Sequence, residues 1–147
     1  MANNRLSDLL HILVYIQMHQ NQKLTSDLIA SSLNTNPSLA RRMMGQLRKA
    51  DLLETTQGSA TPKLTKDPKD ITVFDVYLAT CPDSPLLKVD HNTSKECQVG
   101  NAIPDVLNKY YLDIQSAAEA KMRHVTIQDL INDVEMSIRH HLMVAEQ

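Results

Sequence analysis

The sequence predicts a mostly helical α+β fold, a winged helix-turn-helix with a two-stranded wing followed by a long C-terminal helix. Three observations carry that prediction. Apolar residues recur at helical spacing through the first 50 positions in three short runs separated by polar turns. A short β-like run, a turn with a glycine and a second extended run follow directly. Beyond a polar, proline-containing stretch, one helical period continues far longer than a compact domain of 80 residues can bury.

Taken in order, Leu6, Leu9, Leu10, Leu13, Val14 and Ile16 give a first helix over roughly 5–19. Lys23 to Leu33 gives a second, with Thr25 or Ser26 as N-cap, Asp27 in the first turn and Leu28, Ile29 and Leu33 as its apolar stripe. Asn34-Thr-Asn36 is a turn, and Pro37 stands where proline is best tolerated, at the first position of a third helix over about 37–50. That helix places Leu39, Met43, Leu47 and Ala50 on one face, and Ser38, Arg41, Arg42, Gln46 and Lys49 on the other. Leu52-Leu-Glu-Thr-Thr56 and Pro62-Lys-Leu-Thr65 read as the wing strands, joined through Gln57-Gly58-Ser59-Ala60. Thr72 caps a short helix, Val73 to Ala79, whose apolar residues close the core.

Residues 81–100 read as a loop, broken by Pro82, Pro85 and Gly100. The long helix is expected over 101–122, with Ile103, Val106, Leu107, Tyr110, Tyr111, Ile114, Ala117 and Ala118 on a broad apolar stripe. Thr126-Ile-Gln-Asp129 is a capping-box start to a last helix, whose apolar side is Ile127, Leu130, Ile131, Val134 and Ile138. The expected division is therefore a winged helix-turn-helix over 1–80, a loop over 81–100 as a sensor region, and the long and terminal helices over 101–147. A stripe as broad as that of the long helix needs a partner, and the simplest is its own copy across a two-fold axis.

Composition narrows the function classes. The three glycines, Gly45, Gly58 and Gly100, lie far apart, which excludes a dinucleotide-binding turn and a phosphate loop. Aromatics make up 3%, without tryptophan, which counts against a base-stacking platform. No apolar leader opens the chain, and the densest early apolar run, Ile12 to Ile16, is about a third of a membrane span. A cytoplasmic protein without a membrane partner is expected. No catalytic arrangement stands out: Asp129, Asp133 and Glu135 form an acidic helix face, and the adjacent His140 and His141 diverge by about 100°. The net charge of −2 conceals an asymmetry. Residues 1–70 carry nine Lys/Arg against six Asp/Glu, and residues 71–147 six against eleven.

The basic half contains the most informative stretch, Asn36 to Met44. In a helix-turn-helix the second helix enters the major groove with its N-terminal side chains on base edges. Arginine there binds guanine bidentately, or phosphate if it lies off the base edge. Arg41 and Arg42 diverge by about one 100° step, so one reads bases while the other clamps backbone, with the assignment open. Thr35, Asn36 and Ser38 are short polar groups suited to phosphate, as are Thr25 and Ser26 at the preceding helix. Lys49, Lys63, Lys66 and Lys69 add phosphate attraction along the rim and wing. Double-stranded DNA is the expected partner. A winged helix that only binds protein is the alternative, motivated by the near-neutral total charge.

Asn36-Pro-x-x-x-Arg-Arg-x-x-x-x-Leu47, running on into Leu47-Arg-Lys-Ala-Asp-Leu-Leu53, resembles the recognition helix and wing entry of the Rrf2 family of winged-helix regulators. Lys66-Asp-Pro-Lys-Asp-Ile-Thr-Val-Phe-Asp-Val-Tyr77 is similar to the segment after that family's wing. Cys97-Gln-Val-Gly100, the long helix, and Val125-Thr-Ile-Gln-Asp-Leu130 are similar to its C-terminal half. The resemblance implies a homodimer that binds a palindromic operator and usually represses transcription. Two departures stand out. The family's wing tip is glycine-rich, whereas Gln57 to Thr61 keeps only Gly58, so Gln57 or Ser59 would have to supply minor-groove contact. Iron–sulfur members use three closely spaced cysteines before the long helix. This chain offers Cys97 there and Cys81 sixteen residues earlier, too few thiols for the usual cluster. No cofactor is expected, and Cys97, with Cys81 second, is instead a candidate sensor thiol beside Lys95 and a helix start.

Overall fold

The structure, a computed structural model, describes residues 4–55, 61–83 and 85–146. Helix α1 (Asn4–Met18) is the centre of the packing, because Leu9, Ile12, Leu13 and Ile16 all lose their contact with solvent. Helix α2 (Ser26–Ser32) is capped by Thr25, whose side chain accepts from the Leu28 N–H at 3.3 Å. It turns Ile29 and Ala30 inward and leaves Leu28 exposed. Leu28 and Ile29 are one helical step apart, so a helix of two turns buries only one of them. Asn34 stops α2 in the left-handed conformation, φ 53°, while the Thr35 N–H bonds to the Ala30 carbonyl at 2.9 Å.

Two residues later Asn36 caps α3 (Pro37–Lys49), its Oδ1 accepting from the Leu39 N–H at 2.9 Å. Helix α3 buries Ala40, Met43, Met44 and Leu47, and Ala50 is its exposed C-cap rather than part of the core face. The turn into the wing uses Asp51 at φ 59°, with the Leu52 N–H bonded to the Leu47 carbonyl at 2.9 Å. Strands β1 (Leu53–Thr55) and β2 (Pro62–Leu64) pair antiparallel, with Leu53 opposite Leu64 and Glu54 opposite Lys63. The wing tip, including Gln57 and Ser59, lies outside the described residues.

Helix α4 (Val73–Ala79) opens with a full capping box between Thr72 and Asp75 and buries Val76, Tyr77 and Ala79, leaving Leu78 exposed. Helix α5 (Gln98–Arg123) begins three residues earlier than the sequence suggests, with Cys97 as its N-cap. Gly100 is not a breaker. It sits in the first turn, where a Cβ would come within 2.5 Å of the Ser94 carbonyl oxygen. Pro104 lies inside the helix and has no N–H to give the Gly100 carbonyl. The Thr93 hydroxyl donates to that carbonyl instead, at 2.6 Å, and so ties the preceding loop to the helix.

Helix α6 (Ile127–Ala145) repeats the capping box with Thr126 and Asp129. Its first turns complete the winged-helix core: Ile127 and Ile131 are buried in the same cluster as α1. Backbone bonds fix that return, from the Ile127 N–H to the Ile71 carbonyl at 2.9 Å and from the Val73 N–H to the Val125 carbonyl at 2.8 Å. No helix among the described residues is long and apolar enough to cross a membrane.

Candidate nucleic-acid interface

The buried row of α3 fixes which side of that helix looks outward. Ser38, Arg41, Arg42, Arg48 and Lys49 are exposed, and Gln46 is half-buried. Gln46 differs from its neighbours: its Oε1 accepts from Arg5 Nη1 at 2.8 Å, which fastens the start of α1 to the flank of α3. Arg41 Nη2 donates to Ser38 Oγ at 3.4 Å across one helical turn. Thr25 and Asn36 spend their acceptor oxygens on helix caps, and each side chain keeps its N–H or O–H donors beside those caps. Thr35 is half-buried in the turn between α2 and α3, and Ser26 is half-buried at the start of α2.

Two clefts flank α3. On the wing side, about 380 Å³ of space is bounded by Thr25, Ser26, Arg41, Arg48 and Thr55. On the other side, about 500 Å³ is bounded by Gln46, Lys49, Lys66, Asp75 and Cys81. Thr25, Ser26 and Arg41 thus converge on one cleft, while Gln46 and Lys49 belong to the other. Arg48 is absent from the sequence-based set, although its distance of seven residues from Arg41 is two helical turns and marks the same side. Arg5 has no sequence signal at all; only the fold brings it to α3.

Cys81 and Cys97 are both free and exposed. Cys97 Sγ accepts from the Gly100 N–H at 3.4 Å as the cap of α5. Cys81 holds a left-handed backbone, φ 51°, unusual for a residue with a Cβ. An iron–sulfur cluster takes about four ligands, mostly thiolates. The chain has two cysteines, and among the described residues no three His, Cys, Asp or Glu side chains are placed to hold a metal. This donor set does not fit such a cluster within one chain. His140 and His141 are exposed, their ring centroids 6.3 Å apart.

The stripe of α5 divides between two faces. Ile103, Leu107, Tyr111 and Ala118 are half-buried by their own chain, on the side where Gln115 Nε2 donates to the Tyr77 hydroxyl at 3.3 Å and Gln115 Oε1 accepts from the Leu86 N–H at 2.9 Å. Val106, Tyr110 and Ile114 are exposed, Tyr110 by 64%. Beside α6, a groove of about 630 Å³ runs between Leu10, Val14 and Met18 of α1 and Leu130, Val134 and Ile138 of α6.

Comparison with known proteins places this architecture. The Rrf2 family model, described as an iron-dependent transcriptional regulator, matches residues 2–133. YwnA of Bacillus subtilis, assigned as an HTH-type transcriptional regulator, is 37% identical over 132 residues, covering 90% of this chain and 98% of YwnA. A crystal structure of a protein described as DNA-binding superposes with a TM-score of 0.68 at 34% identity, over 86% of this chain and 98% of that one. CymR, the global cysteine regulator of B. subtilis, shares the fold with a TM-score of 0.67 at 19% identity, over 90% of this chain and 96% of CymR.

Proposed function

The chain belongs to the Rrf2 family of transcriptional regulators, and from that premise we propose that it acts as a cytoplasmic homodimer that represses by occupying a palindromic operator. The observation that carries the proposal is the exposed basic face of α3, with Ser38, Arg41, Arg42 and Lys49 on the side away from the core. Two such helices related by a two-fold axis would meet two half-sites about one helical turn of DNA apart. Thr25, Ser26, Thr35, Asn36 and Gln46 flank that face in this reading, and Gln57 and Ser59 reach DNA from the wing tip.

In the proposed homodimer, α5 supplies the contact through Val106, Tyr110 and Ile114. Ile103, Leu107, Tyr111 and Ala118, half-buried within their own chain, shape and support that surface. No iron–sulfur cluster takes part, because two cysteines do not supply its ligands. Cys97 is the proposed signal input. It is an exposed thiol at the cap of the helix proposed to join the subunits; diamide, reduced to its hydrazine, would take two electrons and two protons from it and a second thiol to form one disulfide, which would alter the spacing of the two α3 helices.

In-vitro selection of bound duplexes, repeated with and without diamide, provides the operator and tests the thiol. Wild-type affinity for the selected operator should fall steeply with salt, and Arg41→Ala combined with Arg42→Ala should abolish specific binding. If the double variant binds as tightly as wild type, the interface is elsewhere and a protein-binding winged helix takes its place. Diamide should weaken wild-type binding and leave Cys97→Ser unaffected. Equal affinity before and after oxidation removes the thiol switch.

A further inference from the structure

We infer that the two adjacent arginines of α3 divide their work: Arg41, with Arg48 on the same wing-side flank, binds the DNA sugar–phosphate backbone, and Arg42 reads base edges. This inference rests on the DNA-binding reading above and resolves which side chain does which job.

The buried residues Ala40, Met43, Met44 and Leu47 set the inward direction of α3. At about 100° per residue, Ser38, Arg42, Gly45 and Lys49 then form the outermost row, with Arg42 within about 30° of straight outward. Arg41 and Arg48 fall about 20° from each other and some 70–90° away from that direction, on the flank that faces the wing. A helix lying in the major groove presents its outermost row to base edges and its flanks to the two sugar–phosphate walls.

The wing-side cleft combines positive charge with hydroxyl-bearing residues. Arg41 and Arg48 line it together with Thr25, Ser26, Thr55 and three apolar residues, and among the described residues no carboxylate does. The Thr25 oxygen accepts from the Leu28 N–H, and its hydroxyl keeps a proton that it can donate to a phosphate oxygen. The hydrogen bond from Arg41 Nη2 to Ser38 Oγ steadies the Arg41 head near the first turn of the helix. The opposite cleft differs: there Lys49 and Lys66 share the lining with Asp75, whose charge opposes an anion. Arg42 lines neither cleft.

Charge-conserving variants separate the two roles, because lysine keeps the positive charge and loses the bidentate fork. Affinities of wild type, Arg41→Lys, Arg48→Ala and Arg42→Lys are measured for the selected operator and for a scrambled duplex over a range of salt. Thermal melting checks that each variant is folded. Arg42→Lys should leave the salt slope unchanged and lower the operator-to-scrambled ratio by roughly tenfold to a hundredfold. A second selection with that variant should show relaxed preference at one base position per half-site. Arg48→Ala should weaken both duplexes by the same factor and flatten the log–log salt slope by about 0.9 per subunit. Arg41→Lys should keep the wild-type specificity ratio. The inverse pattern, with specificity lost in Arg41→Lys and kept in Arg42→Lys, overturns the assignment while leaving DNA binding intact. Absence of wild-type binding to any selected duplex overturns the DNA reading itself, and the assignment with it.

Discussion

Gly45 stands in the middle of α3, where glycine costs about 1 kcal/mol of helix stability relative to alanine. Packing does not ask for it. Among the described residues, a Cβ at that position would meet only the tip of the Arg48 side chain, at 3.8 Å, which is ordinary contact. Gly45 does lie in the same outward row as Ser38, Arg42 and Lys49, so in the proposed complex bare backbone there would let the helix approach the groove floor. Gly45→Ala should therefore raise the melting temperature by a few degrees, as expected from about 0.5–1 kcal/mol in a chain of this size. It should also weaken operator binding, read by fluorescence anisotropy with the same duplex. Gly100 is the opposite case, since the Ser94 carbonyl oxygen leaves no room for a methyl group. Both glycines are isolated in the sequence, each far from any other glycine. Their difference is one of neighbours: Ser94 folds back on Gly100, whereas among the described residues only the tip of Arg48 comes near Gly45.

Helix starts were legible wherever their signals are local. Asn36 with Pro37, Thr72 with Asp75, and Thr126 with Asp129 are capping pairs within four residues, and α3, α4 and α6 begin where those pairs put them. The start of α5 was not legible, because it depends on a tertiary bond. With Pro104 unable to donate, the Gly100 carbonyl is served by Thr93, a residue outside the helix. Gly100 and the earlier prolines therefore read as loop, although the helix already runs from Gln98. Thr93→Val removes the donor at nearly constant volume and leaves that carbonyl without its partner. Stability should drop by about 1 kcal/mol, the net worth of one such hydrogen bond. Hydrogen exchange should show the loss of protection concentrated in residues 93–104, and a uniform loss across α1 and α3 would contradict this local role.

At the scale of the whole molecule, the sequence divides by charge into a basic half and an acidic one, and hides how the halves are joined. Ile127 and Ile131 look like any amphipathic helix, yet they are buried in the core built by α1, α3 and α4. That closure explains why α5 can project its outer face: both of its ends are anchored, by the Thr93–Gly100 bond at one and by the Ile127–Ile71 backbone bond at the other. The stripe was legible as apolar, but period alone cannot tell its two sides apart. The inner one, with Leu107, Tyr111 and Gln115, packs on α4 and the preceding loop, while Val106, Tyr110 and Ile114 stay exposed. Ile138 and Leu142 of α6 are exposed as well. Monomeric soluble proteins rarely leave contiguous apolar patches larger than a few hundred Å² uncovered. The proposed homodimer covers this one, and its consequence can be separated from folding. Tyr110→Asp combined with Ile114→Asp changes residues that face solvent in the single chain, so the melting transition of the isolated subunit should persist. Sedimentation equilibrium should then report a monomer where wild type is a dimer, and operator affinity should fall by several orders of magnitude, because each subunit would hold only one half-site. A double variant that remains dimeric would move the subunit contact off α5, and a monomeric wild type would remove the two-fold operator from the proposal.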